Sequence, residues 1–340
     1  MAGQQLTGHW CASRVAVGYG RAVSGQPWSQ VPATGVLFDR LVDDAAVFPP
    51  GSAALVDALA NHRCFRESPA SRYVGPLLVP ASAATALLEL VGDPAEPLSV
   101  AVIGAGGDPA GVVAATRHLC SRAGLTVVGV EIPLAGTSVD SLLDELRPVT
   151  DRHIPIALEV RRHSVDDVLA VLQHPRLLAG DLVRAKYRTG GIGGETTPGV
   201  TELSTFIAAI AGAELPAKFT AGLHHAVTAG DQYGVLNLMV GVRRAVAARG
   251  PTGSRSNARE VRSELADPAL VEAIAVELRC TDPERLSAEV GSWTEHEIYP
   301  VRRIFRSFGC CGVLEPLTEL AGLGLIPPMA RDLTAPDGQR

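Results

Sequence analysis

Lysine is almost missing from this chain: of its 30 basic residues only Lys186 and Lys218 are lysine, and all the others are arginine. Aromatic residues are also scarce, at 4%, which suits a core of Val, Ala and Leu rather than an aromatic-rich sandwich. Cysteine is present six times, at Cys11, Cys64, Cys120, Cys280, Cys310 and Cys311, but never with CxxC spacing. Neither a zinc ribbon nor a disulfide framework is indicated; the adjacent pair Cys310-Cys311 reads as two small residues at a tight strand end. Met1 to Gln30 holds no apolar run of the length a signal peptide or a membrane span needs, so the expectation is a cytoplasmic protein with no membrane contact. An excess of positive charge is lacking too. With a formal net charge of -6 there is no electrostatic reason to approach nucleic acid or an anionic membrane.

What is there is a 340-residue chain, 46% hydrophobic and 19% charged, the composition of a soluble globular enzyme. From about residue 34, short aliphatic runs alternate with amphipathic stretches. Strands are expected at 35–42, 75–79, 98–103, 125–132, 154–160, 181–188, 216–223 and 302–308. Helices are expected near 53–62, 83–91, 109–122, 138–149, 165–173, 199–213, 231–249 and 315–323, the sixth opening at Thr197-Pro198. Eight βα units imply an α/β fold, a closed (β/α)8 TIM barrel. A doubly wound open sheet is second choice, since no reversal point breaks the series. In this reading residues 1–33 form an N-terminal extension and 34–326 the barrel. The barrel includes a helical insertion at about 250–300 that covers one of its ends, and 327–340 form a tail. Gly104-Ala-Gly-Gly-Asp-Pro lacks GxGxxG spacing and a downstream acid, which excludes nicotinamide binding there.

Parity along each strand separates helix-facing residues from residues inside the barrel. If Val128, Val130 and Ile132 meet the helices, Glu131 points inward; the same logic puts Glu159 and Arg161 inside from the fifth strand. The sixth contributes Arg184, Lys186 and Arg188, and the seventh Lys218, Thr220, Gly222 and His224. Unpaired buried charge is costly, so these groups must compensate one another. Glu131 and Glu159 neutralise two of Lys186, Arg188 and Lys218, leaving a net positive interior suited to an anionic or carbonyl substrate. Crowded cations lower an amine pKa towards the nucleophilic range. A buried ion network that only fixes the barrel would use the same residues.

The segments Lys186-Tyr-Arg-Thr-Gly-Gly191, Lys218-Phe-Thr-Ala-Gly222 and Ser307-Phe-Gly-Cys-Cys-Gly312 distantly resemble class I (Schiff-base) deoxyribose-phosphate-type aldolases, and otherwise those of uncharacterised bacterial barrel proteins. The resemblance implies that Lys186 is the Schiff-base lysine, Lys218 the cation that lowers its pKa, and Glu131 the fourth-strand acid. It also implies that the small-residue turn around Ser307 and Gly309 cradles a substrate phosphate. Arg188 and His224-His225 have no counterpart in that pattern, Glu131 replaces an aspartate, and the 250–300 insertion is foreign to it.

The resulting expectation is a lysine-dependent lyase of aldolase type, with related dehydratase or isomerase chemistry open, acting in small-molecule metabolism without a cofactor or metal. Lys186, Lys218, Glu131, Glu159 and His224 carry the chemistry. Arg188, Asp44, Thr220, Gly190, Gly191, Ser307 and Gly309 contact the substrate, a small carbonyl compound or anion. Asp43-Asp44 closes the first expected strand and reads either as a rim carboxylate or as a turn former. The Gly190–Gly194 run is a lid, an anion loop or a connector. Two alternatives stand beside this: a metal-dependent hydrolase or lyase using His224 with Glu131 and Glu159, or a non-catalytic small-molecule-binding barrel. A homo-oligomer is compatible with either.

Overall fold

The computed structural model describes residues 33–92, 96–134, 136–160, 174, 182–191, 197–249 and 267–329. The expected N-terminal extension apart from residue 33, the helix at 165–173, Arg161, residues 192–194 of the glycine run, the start of the insertion to 266 and the expected tail from 330 on lie outside these residues.

Eight parallel strands close on themselves in sequence order, giving a (β/α)8 TIM barrel. They are β1 (Val42–Asp44), β2 (Val74–Pro80), β3 (Leu98–Ile103), β4 (Leu125–Pro133), β5 (Ile156–Glu159), β6 (Val183–Arg188), β7 (Ala217–Thr220) and β8 (Phe305–Cys310). Closure is made by β1, which pairs with both β2 and β8. The described helices before β6 are α1 (Ala33–Leu37), α2 (Leu55–Glu67), α3 (Ala84–Leu90), α4 (Pro109–Cys120), α5 (Val139–Glu145) and α6 (Arg147–Thr150). After it come α7 (Val200–Gly212), α8 (Val235–Ala248), α9 (Pro268–Arg279), α10 (Pro283–Gly291), α11 (Glu295–Ile304) and α12 (Leu314–Gly322). Among the described residues, no helix is long and apolar enough to cross a membrane.

Helix starts follow local chemistry. Asp108 accepts from Gly111 N at the head of α4, and Asp267 and Asp282 do the same for α9 and α10, each with proline in the first turn. Thr294 and Glu297 form a capping box on α11. The expected start at Thr197-Pro198 is corrected: α7 begins at Val200 with Gly199 as its cap.

The first expected strand, 35–42, is also corrected. Ala33–Leu37 is helical and β1 starts only at Val42. Leu37, Phe38, Leu41 and Val42 are all fully buried, and a short apolar run of this kind suits a buried helix as well as a strand. The expected insertion supplies three described helices, α9, α10 and α11. Of these, α9 packs on α7 and α8, and α10 and α11 pack on α8, so they sit against the outer helical layer rather than over a barrel end. Arg243 and Arg244 of α8 hold them through Glu277, Glu289 and Glu297.

The main core lies between strands and helices, where Val, Leu, Ile and Ala from both layers interlock. Inside the barrel the β1–β3 side carries a small separate apolar cluster of Ala45, Leu78 and Ala101 with Phe48 and Ile103 against it. The opposite side, from β4 round to β8, is ionic.

Candidate active site

Strand register brings the inward groups to neighbouring heights. Glu159 of β5 pairs with Lys186 of β6, Lys186 with Lys218 of β7, and Lys218 with Ser307 of β8. Glu131 lies two positions before Pro133, the β4 partner of Glu159, and is itself paired with Ile103 of the apolar wall. In β1 the fully buried Val42 and Asp44 flank Asp43, and alternation turns Asp43 into the barrel.

These side chains form one continuous chain of alternating charge. Lys186 Nζ lies 2.8 Å from Glu131 Oε2 and 2.8 Å from Glu159 Oε2. Glu131 turns its other oxygen, Oε1, to Lys218, which also reaches Asp43 Oδ2 at 2.6 Å. At the two ends, Arg188 Nε donates to Glu159 Oε1 at 2.6 Å, and the Ser307 hydroxyl donates to Asp43 Oδ2 at 2.8 Å. Glu131, Lys186, Lys218, Asp43 and Ser307 are buried; Glu159 and Arg188, last in their strands, are partly open to solvent.

Asp43 corrects the expected charge. Three carboxylates (Asp43, Glu131, Glu159) face three cations (Lys186, Arg188, Lys218), so the cluster of six is balanced rather than net positive. Burial works against the charge of Glu131, but the two lysines outweigh it and hold its carboxyl down at about 2. Glu159 is likewise lowered, against burial, by Lys186 and Arg188. Asp43 faces a single cation with Glu131 as an anionic neighbour, and there burial prevails and pushes its carboxyl up. Burial disfavours the Lys218 ammonium, yet Asp43 and Glu131 together raise its pKa. Lys218 is thus favoured as an ammonium by the two acids that hold it.

Asp44 is the aspartate expected at the substrate, but Asp43 is the one that reaches Lys218. Asp44 points away from the barrel interior: its carboxylate meets His62 Nδ1 of α2 at 3.0 Å and accepts from Ala46 N at 3.1 Å. A first strand at 35–42 puts both aspartates beyond its end with no parity to separate them, whereas β1 at Val42–Asp44 includes both and alternation separates them. Gly75 of β2, not singled out in the sequence, is what admits Asp43: a Cβ there would lie 2.0 Å from Asp43 Oδ1.

The remaining expected residues fall at the C-terminal ends of the strands. Thr220 pairs in register with Arg188 and Gly309. A Cβ on Gly309 would lie 3.1 Å from Thr220 Oγ1 and 3.4 Å from Leu78 Cδ1, so this glycine keeps the interior open between the ionic and apolar sides. Gly190 abuts Gly222, whose backbone would meet a Cβ at 2.9 Å, and Thr189 Oγ1 donates to Ala221 O at 2.6 Å, pinching β6 and β7 together. Gly191 is exposed. Ser307 spends its hydroxyl proton on Asp43.

His224 is not brought to the lysines. Strand β7 ends at Thr220, so parity no longer applies four residues later, and the histidine reaches α12 instead. Its Nδ1 lies 2.5 Å from Glu315 Oε2 and 3.7 Å from Cys310 Sγ, and its Nε2 lies 3.6 Å from Cys311 Sγ. His225 meets the same helix one turn on, with Nδ1 2.8 Å from Glu319 Oε1. The expected metal set of His224 with Glu131 and Glu159 is therefore not assembled, because both glutamates are committed to lysines. Neither protein-family models, nor curated proteins, nor solved structures give a match to this chain.

Proposed function

We propose that this barrel is a lysine-dependent lyase of aldolase type, acting through a Schiff base between Lys186 and a small carbonyl substrate. The observation that carries the reading is a single buried carboxylate, Glu131, bridging two lysines on adjacent strands at the C-terminal side of the barrel interior.

Imine formation needs a neutral amine beside an acid that can donate to the departing hydroxyl. Lys186 and Glu159 supply that pair. Lys186 Nζ and Glu159 Oε2 are 2.8 Å apart, and substrate that excludes water penalises the charged pair more than the neutral one, so the ammonium proton passes to Glu159 against the pull of Arg188, which holds that carboxyl low. The amine adds to the carbonyl carbon and Glu159 gives its proton to the new alkoxide oxygen; the carboxylate then takes a proton from the nitrogen and passes it to the same oxygen, so that water leaves, the protonated imine forms and Glu159 is again ionised. Lys218 stays charged and, with Glu131, fixes the height and direction of the Lys186 side chain. Arg188 is positioned to hold an anionic group of the substrate, while Leu78, Ala101 and Ile103 wall the carbon skeleton on the other side.

Borohydride reduction in the presence of small aldehydes and ketoacids, followed by intact mass, tests the proposal. With the N-terminal amine blocked only two amines remain, so an adduct kept in Lys218→Arg and lost in Lys186→Arg supports it. An adduct lost only in Lys218→Arg moves the nucleophile one strand on. Ligand binding with no adduct favours the non-catalytic binding barrel.

A further inference from the structure

The His224 cluster is used by none of this chemistry. Three separate segments converge on one imidazole: the loop after β7, the end of β8, and the second position of α12. Nδ1 carries either one proton or one lone pair, so it can serve only one of Glu315 Oε2 and Cys310 Sγ, yet both are turned to it. The three ligand atoms lie within 4.8 Å of one another. Donors bound to one tetrahedral cation by bonds of about 2.0–2.3 Å lie roughly 3–4 Å apart, so small side-chain shifts would close the set.

The backbone around the cluster is shaped to the same end. Gly312 lies between the cysteines and α12, and a Cβ on it would fall 2.5 Å from the carboxyl carbon of Glu315. Any other residue there would drive that carboxylate away from His224. One turn later Glu319 takes His225 Nδ1 and, at 2.6 Å, the Ala226 amide, which ties the histidine segment to α12. Cys310 is buried, whereas the Glu315 side chain is 58% exposed, so the cluster has a closed sulfur side and an open oxygen side.

We propose that His224 Nδ1, Cys310 Sγ and the Glu315 carboxylate form a binding site for a zinc-class divalent cation, with a fourth position open to solvent. One sulfur, one nitrogen and one oxygen donor are a zinc set rather than a magnesium or calcium set. Thiolate and carboxylate together neutralise a dication. Cys311 stays outside the coordination sphere and accepts from Nε2–H, which fixes the ring with Nδ1 turned to the metal.

The test is a cobalt(II) titration of the metal-free full-length protein, followed by displacement with zinc and metal analysis. The expected result is one equivalent of cobalt, with a thiolate-to-cobalt charge-transfer band and visible ligand-field bands of a tetrahedral site. The charge-transfer band disappears in Cys310→Ser, whose folding is checked by circular dichroism. Affinity falls at least about ten-fold in Glu315→Gln, an exposed position where misfolding is not a concern. Cys311→Ser keeps the band, and Lys186→Arg keeps the affinity, so the outcome is separate from the lysine chemistry. No band at stoichiometric cobalt overturns the proposal. A band lost in Cys311→Ser but kept in Cys310→Ser also overturns it, and would instead mark Cys311 and His224 as a thiol–imidazole pair.

Discussion

Lys186 and Lys218 stand side by side in register on β6 and β7, and the two oxygens of Glu131 reach one lysine each. Two buried ammonium groups on neighbouring strands would repel; the shared carboxylate makes the arrangement stable.

Glu131→Ala should therefore be the most destabilising change in the cluster, by about 3–5 kcal/mol, since it leaves two buried cations sharing no counter-ion. Glu159→Ala should cost less, because its site is partly open and Lys186 retains Glu131. Urea midpoints at neutral pH decide; equal losses would mean that the cluster is wetter than its burial indicates.

Acid sensitivity follows from the same residue. In the fold Glu131 titrates at about 2 against an ordinary 4.5. Its pKa is depressed on folding, so it stabilises the native state fully above the ordinary value, and this contribution drains away as pH falls towards about 2. The difference amounts to on the order of 3 kcal/mol, and Glu159 adds to it with the same sign. Urea midpoints should drop steeply between about pH 4.5 and about pH 2 in the wild type, and with a shallower slope in Glu131→Gln.

Adjacent aspartates should behave differently. Asp44→Ala strands His62 in the helix layer and should cost about 2 kcal/mol of stability, while leaving borohydride trapping at Lys186 intact. Asp43→Asn removes a partner of Lys218, and the change should appear in the pH dependence of trapping. If Asp44→Ala abolished trapping in a folded protein, the separation of roles would be wrong.

Gly75→Ala should force the Asp43 carboxylate off Lys218, since the added carbon would lie 2.0 Å from Oδ1. A loss of about 1–3 kcal/mol is expected from overpacking. Asp43→Ala should relieve most of the clash, so the double variant should be more stable than the two separate losses predict. A thermodynamic cycle over the four proteins measures this; simple additivity would refute the contact.

Arg188→Gln should weaken binding of an anionic carbonyl substrate about ten-fold or more while leaving trapping of a neutral aldehyde almost unchanged. Comparing the two ligand classes separates charge recognition from damage to Glu159. Equal loss for both would assign Arg188 to the ion network alone.

Much of the barrel was legible in the chain. Alternation along 125–132 and 181–188 placed Glu131 and Lys186 inside because period-2 patterning is a local property of a half-buried strand. Asp43 was misjudged because β1 is three residues long and its apolar approach is helical, which no local pattern distinguishes. His224 was misplaced because strand parity was carried past the end of β7.

The sequence by itself determined seven of the eight strands in their order, the two lone lysines and the inward acids on β4 and β5, since each depends on a residue and its immediate neighbours. Only the tertiary structure decided which groups meet. Barrel closure pairs β8 with β1 and brings Asp43 to Lys218 and Ser307; the docking of α12 against the segment after β7 brings Glu315 to His224. Those contacts span 264 residues in one case and 91 in the other, and they follow from strand order and helix docking rather than from any local pattern.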